Sequence, residues 1–71
     1  MDKYLEIIHE VIPSFRTEDF DLSFNDAGVE SMDLVMLRVS FEKHFKKPVP
    51  AALWLNFTKM RQIIDFYSVS I

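Results

Sequence analysis

An all-α fold, a small antiparallel helical bundle of three main helices plus a short third helix, is what this sequence predicts, and three observations carry it. One glycine and three prolines in 71 residues are too few turn residues for a fold of many short strands. Hydrophobic residues make up 49% of the chain, seven of them phenylalanine, which is too apolar for disorder. Apolar residues also recur at helical spacing in three proline-free segments. The chain reads as a single domain, 1–71, with no internal repeat, low-complexity segment or linker. It has no cysteine, so neither a disulfide nor a thiolate metal site staples the core, and a reducing cytoplasm is the expected compartment. A domain this short buries only about 60% of its unfolded surface, and apolar packing alone must hold it.

The first helix is expected over 2–12, where Tyr4, Leu5, Ile7, Ile8, Val11 and Ile12, with Phe15 beyond, form a stripe opposite Glu6, His9 and Glu10. Asp2 is a candidate cap for its start. Pro13 ends it near Ile12, because proline disfavours the α region in the residue before it. Residues 14–30 have no helical period. Phe20, Leu22 and Phe24 alternate there with Asp21 and Ser23, so this long loop is expected to pin itself to the core with its alternate phenylalanines; loops of such length in small domains tend to be functional. "NDAG" closes it with a turn signal.

The second helix is expected from Ser31 to Phe45, a span free of glycine and proline. At about 100° per residue from Ser31, Leu34, Leu37, Phe41 and Phe45 fall between about 240° and 320° and form a core face. Met32, Val35, Met36 and Val39 fall on the opposite side, between about 40° and 140°. Arg38 and Glu42 separate the two faces along one edge, and Asp33, Ser40 and His44 along the other. The second apolar face is either buried by another helix or left for a partner. "KKPVP" breaks the helix, and "AALWL" allows a short third one. Thr58 is placed to cap a last helix reaching about Tyr67, with Met60, Ile63, Ile64 and Tyr67 as its stripe. Trp54, with Leu53 and Leu55, reads most simply as core or as a lid over the bundle, and Phe66, off the stripe, as a candidate wall of a cleft against the second helix.

Charge and pattern exclude several functions. The net charge is −3, divided as −7 over residues 1–37 and +4 over residues 38–71, and the bases are not interleaved with aromatics, so nucleic acid is not an expected partner. No apolar run approaches the roughly 20 residues of a membrane span. Glu6, His9 and Glu10 stand where a signal peptide would be apolar, so an unexported, soluble chain is expected. His9 and His44 sit in different helices with no paired ligand spacing, which leaves each as a solvated helix residue and gives no metal site. No nucleophile elbow or nucleotide-binding loop is present, and no enzyme activity is expected.

Ser31 stands apart. The lone glycine, Gly28, adopts positive φ without steric cost and lets the loop turn sharply before it. Read locally, Ser31 is either a helix N-cap or an exposed hydroxyl with a function. Asp26, Glu30 and Asp33 are equally consistent with simple complementarity to the helix dipole.

The stretch "DAGVESMDLVMLRVSFEKHFKKPVP" followed by "NFTKMRQIIDFY" resembles the acyl carrier proteins and carrier domains of fatty-acid, polyketide and nonribosomal peptide synthesis, over nearly the whole chain. The family signature is Gly-x-Asp-Ser-Leu. Gly28 and Ser31 match it, Glu30 replaces the aspartate and Met32 the leucine, and both changes keep the chemistry. The resemblance implies a non-catalytic, monomeric carrier on which Ser31 Oγ attacks the pyrophosphate of coenzyme A in a phosphopantetheinyl transferase. A 4′-phosphopantetheine arm is left in phosphodiester linkage, and its thiol carries an acyl or aminoacyl cargo as a thioester. The implied partners are that transferase and acyl-loading, ketosynthase or other biosynthetic enzymes. Glu30, Met32, Asp33, Val35, Met36 and Val39 are the implied docking residues, the two acids offering charge attractive to a basic partner. Carriers of the fatty-acid type have acids where this chain has Met36 and Lys43, and Arg38 adds positive charge nearby. That departure favours a discrete acyl carrier of a specialised polyketide, lipid or hybrid pathway. The alternatives are a peptidyl or aminoacyl carrier and an unmodified helical interaction module.

Overall fold

The computed structural model describes residues 2–68. Four helices follow in order: α1 (Asp2–Val11), α2 (Ser31–Phe45), α3 (Ala51–Asn56) and α4 (Met60–Ser68), with one turn of 3-10 helix at Thr17–Asp19 in the first long loop. Among the described residues the only β pairing is an isolated bridge between Ser23 and Lys59. The all-α bundle of three main helices and a short third one is therefore the observed architecture.

α1 buries Ile7 and Ile8 and half-buries Tyr4, Leu5 and Val11, with half-buried Ile12 just past its end. The expected capping role of Asp2 rests on a side chain outside what the structure describes. Pro13 ends the helix as its geometry requires, and Phe15 turns back into the core, with its backbone N–H on the Ile12 carbonyl at 3.1 Å. His9 is exposed yet engaged: its Nε2 lies 2.7 Å from the Phe15 carbonyl oxygen. A carbonyl only accepts, so Nε2 carries the proton. His44 Nε2 likewise lies 3.2 Å from the Glu10 carboxylate and links α2 to α1. Both histidines, expected to be merely solvated, are surface ties.

In the long loop Phe20 and Phe24 are buried, as expected of the phenylalanines that pin it, while Leu22 between them is 41% exposed. The 3-10 turn and the turns after it replace a period of two with a spacing of four. The loop is stitched to the start of α4 instead of to a strand. Phe24 N–H donates to the Thr58 carbonyl at 2.8 Å, and Arg61 N–H to the Phe20 carbonyl at 3.1 Å. The Arg61 guanidinium meets both oxygens of Asp21 at 3.1 and 3.2 Å.

α2 packs its Leu37 and Phe41 fully inside, flanked by half-buried Leu34 and Phe45. Lys46, in the left-handed region at φ 53°, ends it. α4 buries all four of its expected stripe residues. Its start is capped differently from expectation: Gln62 Oε1 accepts the N–H groups of Thr58 and Lys59, at 2.6 and 3.0 Å, so the cap is a side chain reaching back from inside the helix. Tyr67 locks the far end of the bundle. It stacks on Phe41 and Phe45 with ring centroids 5.4 and 4.8 Å apart, and its hydroxyl donates to the Lys47 carbonyl at 3.0 Å. Burial pushes that phenol up to about 12, so it remains a donor.

Candidate functional site

The loop delivers Ser31 through a built turn. Ala27 N–H donates to the Ser23 carbonyl at 2.9 Å and Val29 N–H to the Phe24 carbonyl at 2.8 Å. Between them Gly28 takes φ 76°, and a Cβ there would meet nothing within 4 Å. Glycine is therefore required for its backbone angle and not for space. Val29 is buried and anchors the turn, so the next two residues, Glu30 and Ser31, are driven outward.

Glu30, in an extended conformation, is the N-cap of α2, and its N–H donates to the Asp33 carboxylate at 3.2 Å. Ser31 is the first residue inside the helix. The local reading of Ser31 as the cap is thereby corrected, because the cap position falls one residue earlier. Its side chain is exposed, and among the described residues no side-chain hydrogen bond engages its hydroxyl. Glu30 and Asp33 lie at the end of the helix where the backbone dipole favours negative charge, Asp26 precedes them in the turn, and none of the three is in an ion pair among the described residues.

The second apolar face of α2 is open. Met32 is 70% exposed, Val35 58%, Met36 51% and Val39 59%, so no other helix among the described residues covers them. On the edge between this face and the core lies a cleft of about 590 Å³. Ser31, Leu34, Val35, Arg38, Val39 and Glu42 line it from α2, and Trp54 and Leu55 face them from α3. Trp54 is half-buried and packed edge-on against Phe57 at 5.7 Å, whereas Leu53 and Leu55, read with it as core or lid, are exposed. Phe66, the expected wall, is absent from the lining. It packs instead edge-on against Phe57 and Tyr67 at 6.3 and 5.0 Å, under the Lys47 ammonium at 4.5 Å. The six-residue α3, too short to show a period, takes its place with Leu55.

The cleft ends in a clasp that sequence reasoning did not find. Arg38 Nε donates to Glu42 Oε2 at 3.3 Å, Arg38 Nη2 donates to the Val49 carbonyl at 2.8 Å, and Val49 N–H donates to Glu42 Oε2 at 2.8 Å. The guanidinium lies 6.0 Å from the Trp54 ring centroid. Both backbone groups of buried Val49 are thus held by one i,i+4 pair, which ties the chain leading into α3 to α2. The pair spacing was a visible signal; its target was not. The Val49 N–H, against the opposing effect of burial, and then the Arg38 guanidinium hold the Glu42 carboxyl below its ordinary value.

The scaffold thus sets an exposed serine at a helix start with an open apolar face beside it, and no group of three or more side chains that could hold a metal ion stands together among the described residues. The family model described as a phosphopantetheine attachment site matches residues 5–67. The match spans nearly the whole chain, and the protein belongs to this family of carrier proteins. It is a non-catalytic carrier whose cofactor is covalently attached 4′-phosphopantetheine, and carriers of this kind work with phosphopantetheinyl transferases and biosynthetic enzymes. A search of curated proteins and a search of solved structures each returned no match. No helix among the described residues is long and apolar enough to cross a membrane.

Proposed function

We propose that Ser31 is the attachment residue and that the protein is an acyl carrier of a specialised polyketide, lipid or hybrid pathway. The observation that carries this reading is the position of the Ser31 hydroxyl: exposed, unengaged among the described residues, and relieved of capping by Glu30. These residues fit the group. On a transferase, Ser31 Oγ would bond to the phosphorus of coenzyme A nearest the pantetheine, the bond to the nucleotide phosphate would break, and the serine proton would pass to the enzyme. Once attached, the group supplies a thiol that holds cargo as a thioester.

Glu30, Met32, Asp33, Val35, Met36 and Val39 are the proposed docking residues. Four of them form the open apolar face, and methionine suits a surface that must accept several shapes. The acids offer charge to a basic partner. The cleft walls, mostly apolar, favour an acyl over an aminoacyl cargo. Arg38, held by Glu42 and Val49, is structural, so the carrier lacks a continuous acidic surface on α2. That absence supports a dedicated pathway over general fatty-acid synthesis.

The test is intact mass after incubation with coenzyme A, magnesium and a broad-specificity phosphopantetheinyl transferase. The native chain should gain one arm and Ser31→Ala none. Alanine at the first helical position, where serine is not the cap, should leave the melt nearly unchanged, so a silent variant is informative. A modified Ser31→Ala chain overturns the assignment.

A further inference from the structure

We propose that Met32 and Met36 form an oxidation site on the open face of α2, where peroxide converts both thioethers to sulfoxides and so switches docking off. The inference rests on the readings of Ser31 as the attachment residue and of this face as the docking surface.

The four methionines of the sequence differ in their surroundings. Met60 is fully buried in the core, and Met1 lies outside the described residues. Met32 and Met36 are both exposed. They stand four residues apart in one helix, so their Cβ atoms lie about 5–6 Å from each other on one side of it. Peroxide reaches a sulfur from solvent, and it therefore meets these two before Met60. The chain has no cysteine, so until an arm is attached no thiol of its own competes for the oxidant.

The step is a two-electron oxidation with hydrogen peroxide as the co-reactant. The thioether sulfur attacks one peroxide oxygen, the O–O bond breaks, the sulfur keeps that oxygen as a sulfoxide, and the other oxygen leaves with both protons as water. The sulfur is oxidised and the peroxide reduced, one for one. A methionine sulfoxide reductase reverses the step with a dithiol, which leaves as a disulfide while the sulfoxide oxygen leaves as water.

Position decides the consequence. A thioether is a weak acceptor, and oxidation makes the same side chain polar. In the free chain both sulfoxides stay in water, away from the core, so the helix survives. Pressed against the apolar surface of a partner, the sulfoxide oxygens lose that water, and Val35 and Val39, the rest of the open face, have no side-chain donor to replace it. Met32 directly follows Ser31, so an enzyme whose active site closes on the Ser31 hydroxyl meets it wherever else it touches the chain. Leucine at both positions would keep the apolar contact without a sulfur to oxidise, which isolates the thioether as the sensitive group.

The experiment takes the whole chain before arm attachment, treats it with hydrogen peroxide, removes the peroxide with catalase, and adds coenzyme A, magnesium and a broad-specificity phosphopantetheinyl transferase. Peptide mapping should place one oxygen each on Met32 and Met36 and none on Met60, with far-UV circular dichroism unchanged. At carrier concentrations below KM, arm transfer should slow at least about fivefold. A methionine sulfoxide reductase with a dithiol should restore it. Each chain is scored by the ratio of its treated to its untreated rate, and in the double variant Met32→Leu/Met36→Leu peroxide should leave the rate unchanged, whatever that rate is. Oxidation of Met60 as fast as Met32, loss of helicity on treatment, or an equal fall in the double variant overturns the proposal. Equal transfer to treated and untreated native chains overturns the switch alone, whereas no arm on the untreated chain would overturn the reading of Ser31 and the switch with it.

Discussion

Gly28 shows how much of the site depends on one backbone angle. Its φ of 76° puts any Cβ-bearing residue in a region that costs about 1–2 kcal/mol, while the open space around it removes clash as a cause. Gly28→Ala should therefore lower stability by about 1 kcal/mol in urea unfolding, and Gly28→Asn by less, since asparagine tolerates left-handed geometry. Equal losses for both would mean that φ is not the constraint. Glu42 gives a second test at this scale. Its folded carboxyl sits below the ordinary 4.5, so its contribution is complete above that value and is lost as pH falls through the depressed folded value. Glu42→Gln should lower Tm near neutrality and flatten the acid limb of Tm against pH below about 4.5. An acid limb unchanged in Glu42→Gln would place the acid sensitivity elsewhere, with Asp21 the next candidate. There the Arg61 guanidinium bonds the carboxylate and holds it below its ordinary range.

Among the elements, α2 carries two faces with opposite fates. Leu37 is fully buried and Met36 half exposed, though they are neighbours in sequence. Leu37→Ala should cost about 2–5 kcal/mol, a large share of the stability of a domain this small. Met36→Ala should cost far less and leave the helix folded while slowing loading by the cognate enzyme. Urea unfolding and loading rates on the same samples separate the two, and equal destabilisation would show that Met36 packs as core. α2 is legible in the sequence because its boundaries are chemical: a glycine turn before Ser31 and "KKPVP" after Phe45. α4 is legible because Met60, Ile63, Ile64 and Tyr67 share one stripe. Other features could not be read. The alternation of Phe20, Leu22 and Phe24 imitates a strand, and only long-range bonds to Thr58 and Arg61 show that the segment is a stitched loop. α3 is too short for periodicity, so Leu55 as a cleft wall and Phe66 as its displaced rival depend on tertiary placement, whereas the Gln62 cap of α4 is a local contact three and four residues back. For the candidate site, the motif around Gly28 and Ser31 marks the serine, whereas the freedom of its hydroxyl follows from Glu30 taking the cap, a one-residue distinction that pattern alone does not resolve.

Across the whole molecule, charge is divided, with −7 over residues 1–37 and +4 over residues 38–71. Glu10 and Asp21 reach across to His44 and Arg61, but the acids nearest Ser31 have no ion-pair partner among the described residues. Surface pairs of this kind contribute little, so self-repulsion in the acidic half should dominate. Raising salt from low to physiological ionic strength should therefore raise Tm, as screening weakens that repulsion. A Tm indifferent to salt would mean that the acids are already balanced by the basic half. Ser31 lies in the acidic half of the sequence, near Asp26, Glu30 and Asp33, and is the point on which the functional account turns. The most direct test is peptide mapping by tandem mass spectrometry of the whole chain after reaction with coenzyme A and a transferase. A single phosphopantetheine-bearing peptide is expected, with the fragment ions assigning the group to Ser31. Assignment to Ser14, Ser23, Ser40 or any other residue would contradict the carrier geometry described for α2.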